Sequence, residues 1–148
     1  MGGSTNDDSS IIGPDGTKRI YYNDVWRSTD GAIWQLVTEQ AGWSARPWHH
    51  CEVLDTQVLC FGAFGLIENP IDQWRTTEGG GWELLTGAPW NVADHTEVKY
   101  DFDSIVVETD GVPVVLTFGG DRETFDFSDP DNWLRADDHV WRFGPPTG

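Results

Sequence analysis

Apolar residues in this chain fall in short alternating runs separated by glycine-rich or acidic turns. His50 to Leu54 and Gln57 to Ala63 flank Asp55-Thr56 as one hairpin pattern, and Asp72 to Thr76 and Trp82 to Leu85 flank Glu78-Gly79-Gly80 as the next. Alternation over so few residues, bounded by turn formers, predicts short half-buried strands. No segment is long enough and periodic enough to predict a helix. The expected fold class is therefore all-β.

The strand pattern repeats. Asn23-Asp24-Val25-Trp26-Arg27-Ser28-Thr29-Asp30-Gly31-Ala32-Ile33-Trp34 returns as Ile71-Asp72-Gln73-Trp74-Arg75-Thr76-Thr77-Glu78-Gly79-Gly80-Gly81-Trp82, so both tryptophans recur after 48 residues. Trp43 recurs as Trp90, and the Trp-Arg pair appears again in Val140-Trp141-Arg142. Phe61-Gly62 returns as Phe118-Gly119-Gly120. A period of this size with four short strands per unit suits the blades of a β-propeller, with large rigid side chains filling the wedge between neighbours.

These residues resemble the Kelch family in its galactose-oxidase-like bacterial form. The Gly pair after the second strand is Gly119-Gly120, and Phe61-Gly62-Ala63 has lost its second Gly. The third-strand aromatic is Trp26, Trp74 or Trp141, and the fourth-strand Trp is Trp34 or Trp82. The resemblance implies a partial Kelch-like propeller of four-stranded antiparallel blades. It further implies a binding or interaction module for a protein or carbohydrate, with membership of a carbohydrate-active enzyme (galactose-oxidase-like or sialic-acid-processing) as the alternative, since this fold serves both. Ser28 to Trp34 also looks like the Asp-box of sialidase-type propellers, although one residue short, with Glu78 in place of the Asp in the second copy. The plain reading is a hairpin turn stabilised by its Asp.

The units divide the chain into a disordered N-terminus (1–8), a partial first unit (9–40) entered at its second strand near Ser10 to Gly13, a complete unit (45–88), a unit lacking its last strand (93–144), and a tail (145–148). Closed propellers typically need about four to eight blades, or at least about 190 residues at this period. The chain, with 148, is expected to be a piece of a larger propeller, to close a ring with copies of itself, or to persist as an open arc. Uncovered blade faces favour self-association.

Composition narrows the partners. Formal charge is −16, from 25 acidic against 9 basic residues, which disfavours nucleic acid and anionic membranes. No apolar run approaches the length of a membrane span, and the polar N-terminus carries no signal-peptide pattern.

Loops between second and third strands, and the crossings between blades, share one end of the sheets. On this loop face the candidate binding residues are Arg46, Trp48, His49, Asp121, Arg122 and Trp133. The segment from Asp121 to Asp137 mixes aromatics and carboxylates as a binding loop would. Asp126, Asp129 and Asp131 offer oxygen ligands for calcium, but their spacing matches no EF-hand loop. His49 and His50 alternate to opposite faces of a strand, so they do not chelate one metal together; His50 and His95 occupy equivalent positions, which predicts a repeated structural bond. No cofactor is expected. Tyr21, Tyr22 and Tyr100 form no copper-ligand pattern with the histidines, and no nucleophile–base order appears.

The two-residue turn at Asp55-Thr56 pairs Cys51 with Cys60 at a position where Cα atoms approach to about 4.5 Å. That permits a disulfide, and with it an extracellular or periplasmic setting. Two thiols packed in the core satisfy the same geometry.

Overall fold

The computed structural model describes residues 1–4, 20–63, 70–87, 99–122, 128–131 and 134–144. The fold is all-β, with no helix among these residues. Eleven strands form four antiparallel sheets: β1 (Gly3–Ser4) with β2 (Tyr21–Tyr22); β3 (Val25–Arg27) with β4 (Gln35–Thr38); β5 (His50–Leu54), β6 (Gln57–Phe61), β7 (Asp72–Thr76) and β8 (Glu83–Gly87) in that order; and β9 (Asp103–Thr109), β10 (Val112–Phe118) and β11 (Val140–Phe143), with β10 central.

Turn chemistry sets these pairings. Asp110 and Gly111 both adopt left-handed backbone, with φ of 55° and 75°, the conformation that a two-residue hairpin with the right twist requires. Thr109 therefore sits opposite Val112, and the register runs unbroken to Asp103 opposite Phe118. Asp55 plays the same part in the β5–β6 hairpin at φ 56°, and Cys51 faces Cys60 in the register read from that turn. At the Ser28 turn, the Ser28 hydroxyl accepts the Gly31 N–H at 2.8 Å and Asp30 Oδ1 accepts the N–H groups of Ala32 and Ile33, each at 2.9 Å. Those bonds hold Asp30 below the usual carboxylate range, the Ile33 N–H first. The equivalent Thr76 hydroxyl accepts the Gly79 N–H at 2.9 Å. The Asp-box-like segment is thus a self-bonded turn.

The four-stranded sheet lies between two others. Register alternation puts Cys60, Trp74 and Thr76 on one face and Leu59, Phe61, Gln73 and Arg75 on the other. The first face meets β3–β4: Trp74 and Trp82 pack against Val25, Val37, Ala41 and Trp43, with the Trp43 and Trp82 rings edge to face at 4.0 Å. Gly42 makes this fit, because a Cβ there would stand 2.7 Å from the Trp74 ring. The second face meets β9–β11: Leu59, Phe61, Phe102 and Val115 form a buried cluster joined by Val106, Trp141 and Phe143. Phe61 and Phe102 stack at 5.9 Å, and Ser104 donates to Glu52 across the interface at 2.6 Å.

Within the N-terminal segment expected to be disordered (1–8), Gly3 and Ser4 pair with Tyr22 and Tyr21, and residues 5–8 lie outside the described residues. Positive φ at Gly2 and Gly3 (60° and 118°) lets their N–H groups reach the carbonyls of Asp24 and Arg46, which a residue with a Cβ would resist. The second strand expected near Ser10 to Gly13 lies outside the described residues.

Candidate functional site

All strand ends that carry the candidate residues emerge on one side: the starts of β3, β5, β7, β9 and β11 and the ends of β4, β6 and β10. Two arginine–aspartate clamps organise this end. In the first, the Arg46 guanidinium, 3% exposed, grips Asp72 through both Nη1 and Nη2, the latter at 2.9 Å. Two further donors reach the Ser44 carbonyl at 3.0 Å and the Ser44 hydroxyl at 2.9 Å. Trp74 Nε1 donates to the same Asp72 carboxylate at 2.7 Å. Burial raises the Asp72 pKa, but Arg46 and Trp74 outweigh it, so the carboxyl titrates below its ordinary range. The backbone of Arg46 also donates to Tyr22 and accepts from Gly3. Arg46, expected as a ligand-binding side chain, is held by internal bonds that tie the β4–β5 connection to β7 and to the β1–β2 pair. The bonds to Asp72 and Ser44 engage most of the guanidinium's donors, which leaves little of its polar chemistry for a ligand.

The second clamp ties the start of the β10–β11 connection to its end. Arg122 Nε donates to Asp137 at 2.6 Å, and the His139 N–H donates to the other oxygen at 2.7 Å. The Asp137 side chain is 1% exposed. Burial pushes its pKa up, and the His139 N–H, Arg122 and Lys99 together bring it below the ordinary value. Lys99 is fully buried, with Nζ 5.2 Å from the Phe102 ring centroid; its pKa is lowered by burial, Asp137 opposing. Asp121 bridges through its backbone to Tyr100 and Ala136. Asp137, Asp138 and His139 bring three potential ligand atoms within 4.8 Å of one another. Both Asp137 oxygens are already engaged, which disfavours a metal there.

His49 is half-buried, 6.2 Å from the Trp43 ring and against Gly2. Its pKa falls to about 4, first through burial, then through the positive charges of the N-terminal amine and Arg46. It stays neutral at physiological pH. Trp48 differs: it is 58% exposed and its backbone takes φ 56°, a strained conformation for a bulky side chain. His50 stacks on Phe102 at 5.0 Å and approaches the Ser104 hydroxyl at 3.5 Å. It serves packing between sheets, and burial lowers its pKa.

Trp133, Asp126 and His95 lie outside the described residues. Asp129 pairs with Arg135 at 2.9 Å and caps the Asp131 N–H at 3.0 Å. Cys51 and Cys60 form a disulfide with Cα atoms 4.2 Å apart, and no free cysteine remains. Sequence reasoning missed Asp72, Asp137 and Lys99. The signal for the first was present: an Asp stands two residues before Trp in both Asp24-Val25-Trp26 and Asp72-Gln73-Trp74. No family model matches the chain, and no curated protein matches it at a significant level.

Proposed function

We propose that this chain is a Kelch-like partial propeller acting as a non-catalytic binding module, with a protein or neutral glycan ligand held at the loop end of the sheets. The observation that carries the reading is Trp48: a 58% exposed indole on left-handed backbone, set beside Arg46, whose guanidinium is engaged with Asp72 and Ser44, and beside the half-buried, neutral His49. Exposed aromatic rings on a braced frame supply contact area at low entropic cost, and their faces stack on sugars and on apolar side chains. The acidic surface, −16 overall, supports a basic protein or an uncharged sugar over a polyanion. The stacked sheets and the equivalent tryptophan positions support the blade reading.

The test is a glycan array together with affinity capture on immobilised full chain, each repeated with Trp48→Ala. Saturable retention of a neutral glycan or a basic protein, weakened about tenfold or more by the substitution, is expected. Equal binding by both proteins, or none by either, would refute the assignment of Trp48 and its surroundings as the site.

A further inference from the structure

The three larger sheets stack with one polarity. Trp26, Trp74 and Trp141 each sit on a middle or edge strand of successive units, and the local bonding of the first two is the same. Trp26 Nε1 donates to Asp24 and Trp74 Nε1 to Asp72, both at 2.7 Å. Trp34 and Trp82 likewise donate to the carbonyls of Gly31 and Gly79, at 3.2 and 2.9 Å. Within the chain, each tryptophan-bearing face covers the aliphatic face of the preceding sheet. Trp74 and Trp82 cover Val25 and Val37; Trp141 covers the Leu59 and Phe61 side.

Among the described residues, that polarity leaves one face of each kind uncovered. On the first sheet, Trp26 and Leu36 are opposite one another in the register, and with Trp34 they are 44%, 42% and 56% exposed. On the last sheet, Phe118 lies opposite Val140, one residue along β10 from the inward-facing Thr117–Trp141 pair and so on the outer face. Phe118, Val140 and Ile105 are 40%, 65% and 48% exposed. The two surfaces are therefore the two halves of an interface that already occurs twice inside the molecule.

We propose that the tryptophan face of the first sheet (Trp26, Trp34, Leu36) docks on the aliphatic face of the last sheet (Ile105, Phe118, Val140) of a second copy of this chain, head to tail. The contact is heterologous, so it propagates to a closed ring or a filament and does not stop at a symmetric dimer. With each copy at −16, long-range repulsion opposes docking, and added salt strengthens it.

Sedimentation velocity on the full chain from 1 to 100 µM (roughly the range in which a contact of a few apolar residues is read), at low and high salt, tests this. Association that rises with concentration and salt is expected. Trp26→Glu and Val140→Glu should each weaken it about tenfold or more, while Val53→Glu, at an exposed position away from both faces, leaves it unchanged. The decisive arm mixes the two variants: Trp26→Glu retains an intact aliphatic face and Val140→Glu an intact tryptophan face. The mixture should form one-to-one dimers that grow no further, at concentrations where either variant alone associates about tenfold or more weakly. Circular dichroism of each variant separates lost docking from lost folding, and Leu36→Lys substitutes for Trp26→Glu if the latter unfolds. A chain that stays monomeric at every concentration and salt, or a mixture that stays monomeric, would overturn the proposal.

Discussion

Replacing Asp72 with Asn tests what the first clamp does. The carboxylate receives two bonds from Arg46 and one from Trp74. Asn keeps the shape but removes the charge and turns one acceptor into a donor aimed at a cation. The Arg46 guanidinium stays 3% exposed while Asp72 is 27% exposed, so water reaches the orphaned charge from one side only. Breaking a fully buried pair costs about 3–5 kcal/mol, and this partial access reduces the expected loss to about 2–4 kcal/mol. For a domain of this size that corresponds to a fall in Tm of about 5–15 °C. Urea unfolding followed by tryptophan fluorescence and circular dichroism reads it directly. Arg46→Leu combined with Asp72→Leu should cost less than the sum of the single changes, because no charge is then left unpaired. The exposed pair Arg75–Glu83, 39% and 64% exposed, is the internal control, and Glu83→Gln should leave the midpoint almost unmoved. Equal effects of Asp72→Asn and Glu83→Gln would refute the claim that Arg46 is a buried brace.

Three further outcomes follow from the same structure. Replacing Cys51 and Cys60 together by Ser, or reducing the bridge, should lower stability by about 2–3 kcal/mol, the loop-closure contribution of a short ring, read by denaturant midpoint with and without reductant. His49 titrates near 4 in the folded chain against 6.5 ordinarily, so between those pH values only the unfolded chain takes up the proton. Stability should drop as the pH is lowered through that window, by up to about 1.4 kcal/mol per pH unit for this group, with no contribution above it; His49→Gln should lessen the slope without abolishing it, because His50 is shifted the same way. Gly120→Ala should destabilise far more than Gly111→Ala: both positions have positive φ, but a Cβ on Gly120 would stand 2.8 Å from the Tyr100 carbonyl oxygen, whereas Gly111 has open space. Thermal melts that rank them the other way would refute the local packing.

Local rules carried much of the fold, and tertiary placement carried the rest. The β5–β6 register, and with it the pairing of Cys51 with Cys60, was legible because a two-residue turn fixes which residues face each other, but that pairing alone did not separate a disulfide from two packed thiols. The fate of Arg46 was not legible, because its partner Asp72 lies 26 residues away and a charged loop residue reads alike whether it waits for a ligand or for a distant carboxylate. His49 was marked for binding by its neighbours, yet contact with Gly2 buries it, and no periodicity announces that contact. Residues 1–4 looked disordered by composition. The same glycines that suggest disorder permit the positive φ through which the segment bonds to Asp24 and Arg46. The recurrence of Trp after 48 residues marked equivalent positions, but only the stacking order reveals that Trp74 is covered and Trp26 is not.

The fold and the proposed docking both require three sheets stacked in chain order, tryptophan face on aliphatic face. Nuclear Overhauser contacts across both interfaces in the intact chain measure this most directly. Cross-peaks are expected between the Trp74 indole and Gly42 at the first interface, where the ring touches the glycine, and between the Phe61 and Phe102 rings, 5.9 Å apart, at the second. Hairpin contacts such as Cys51 with Cys60 in the absence of both cross-sheet sets would mean that the sheets form but do not stack as described.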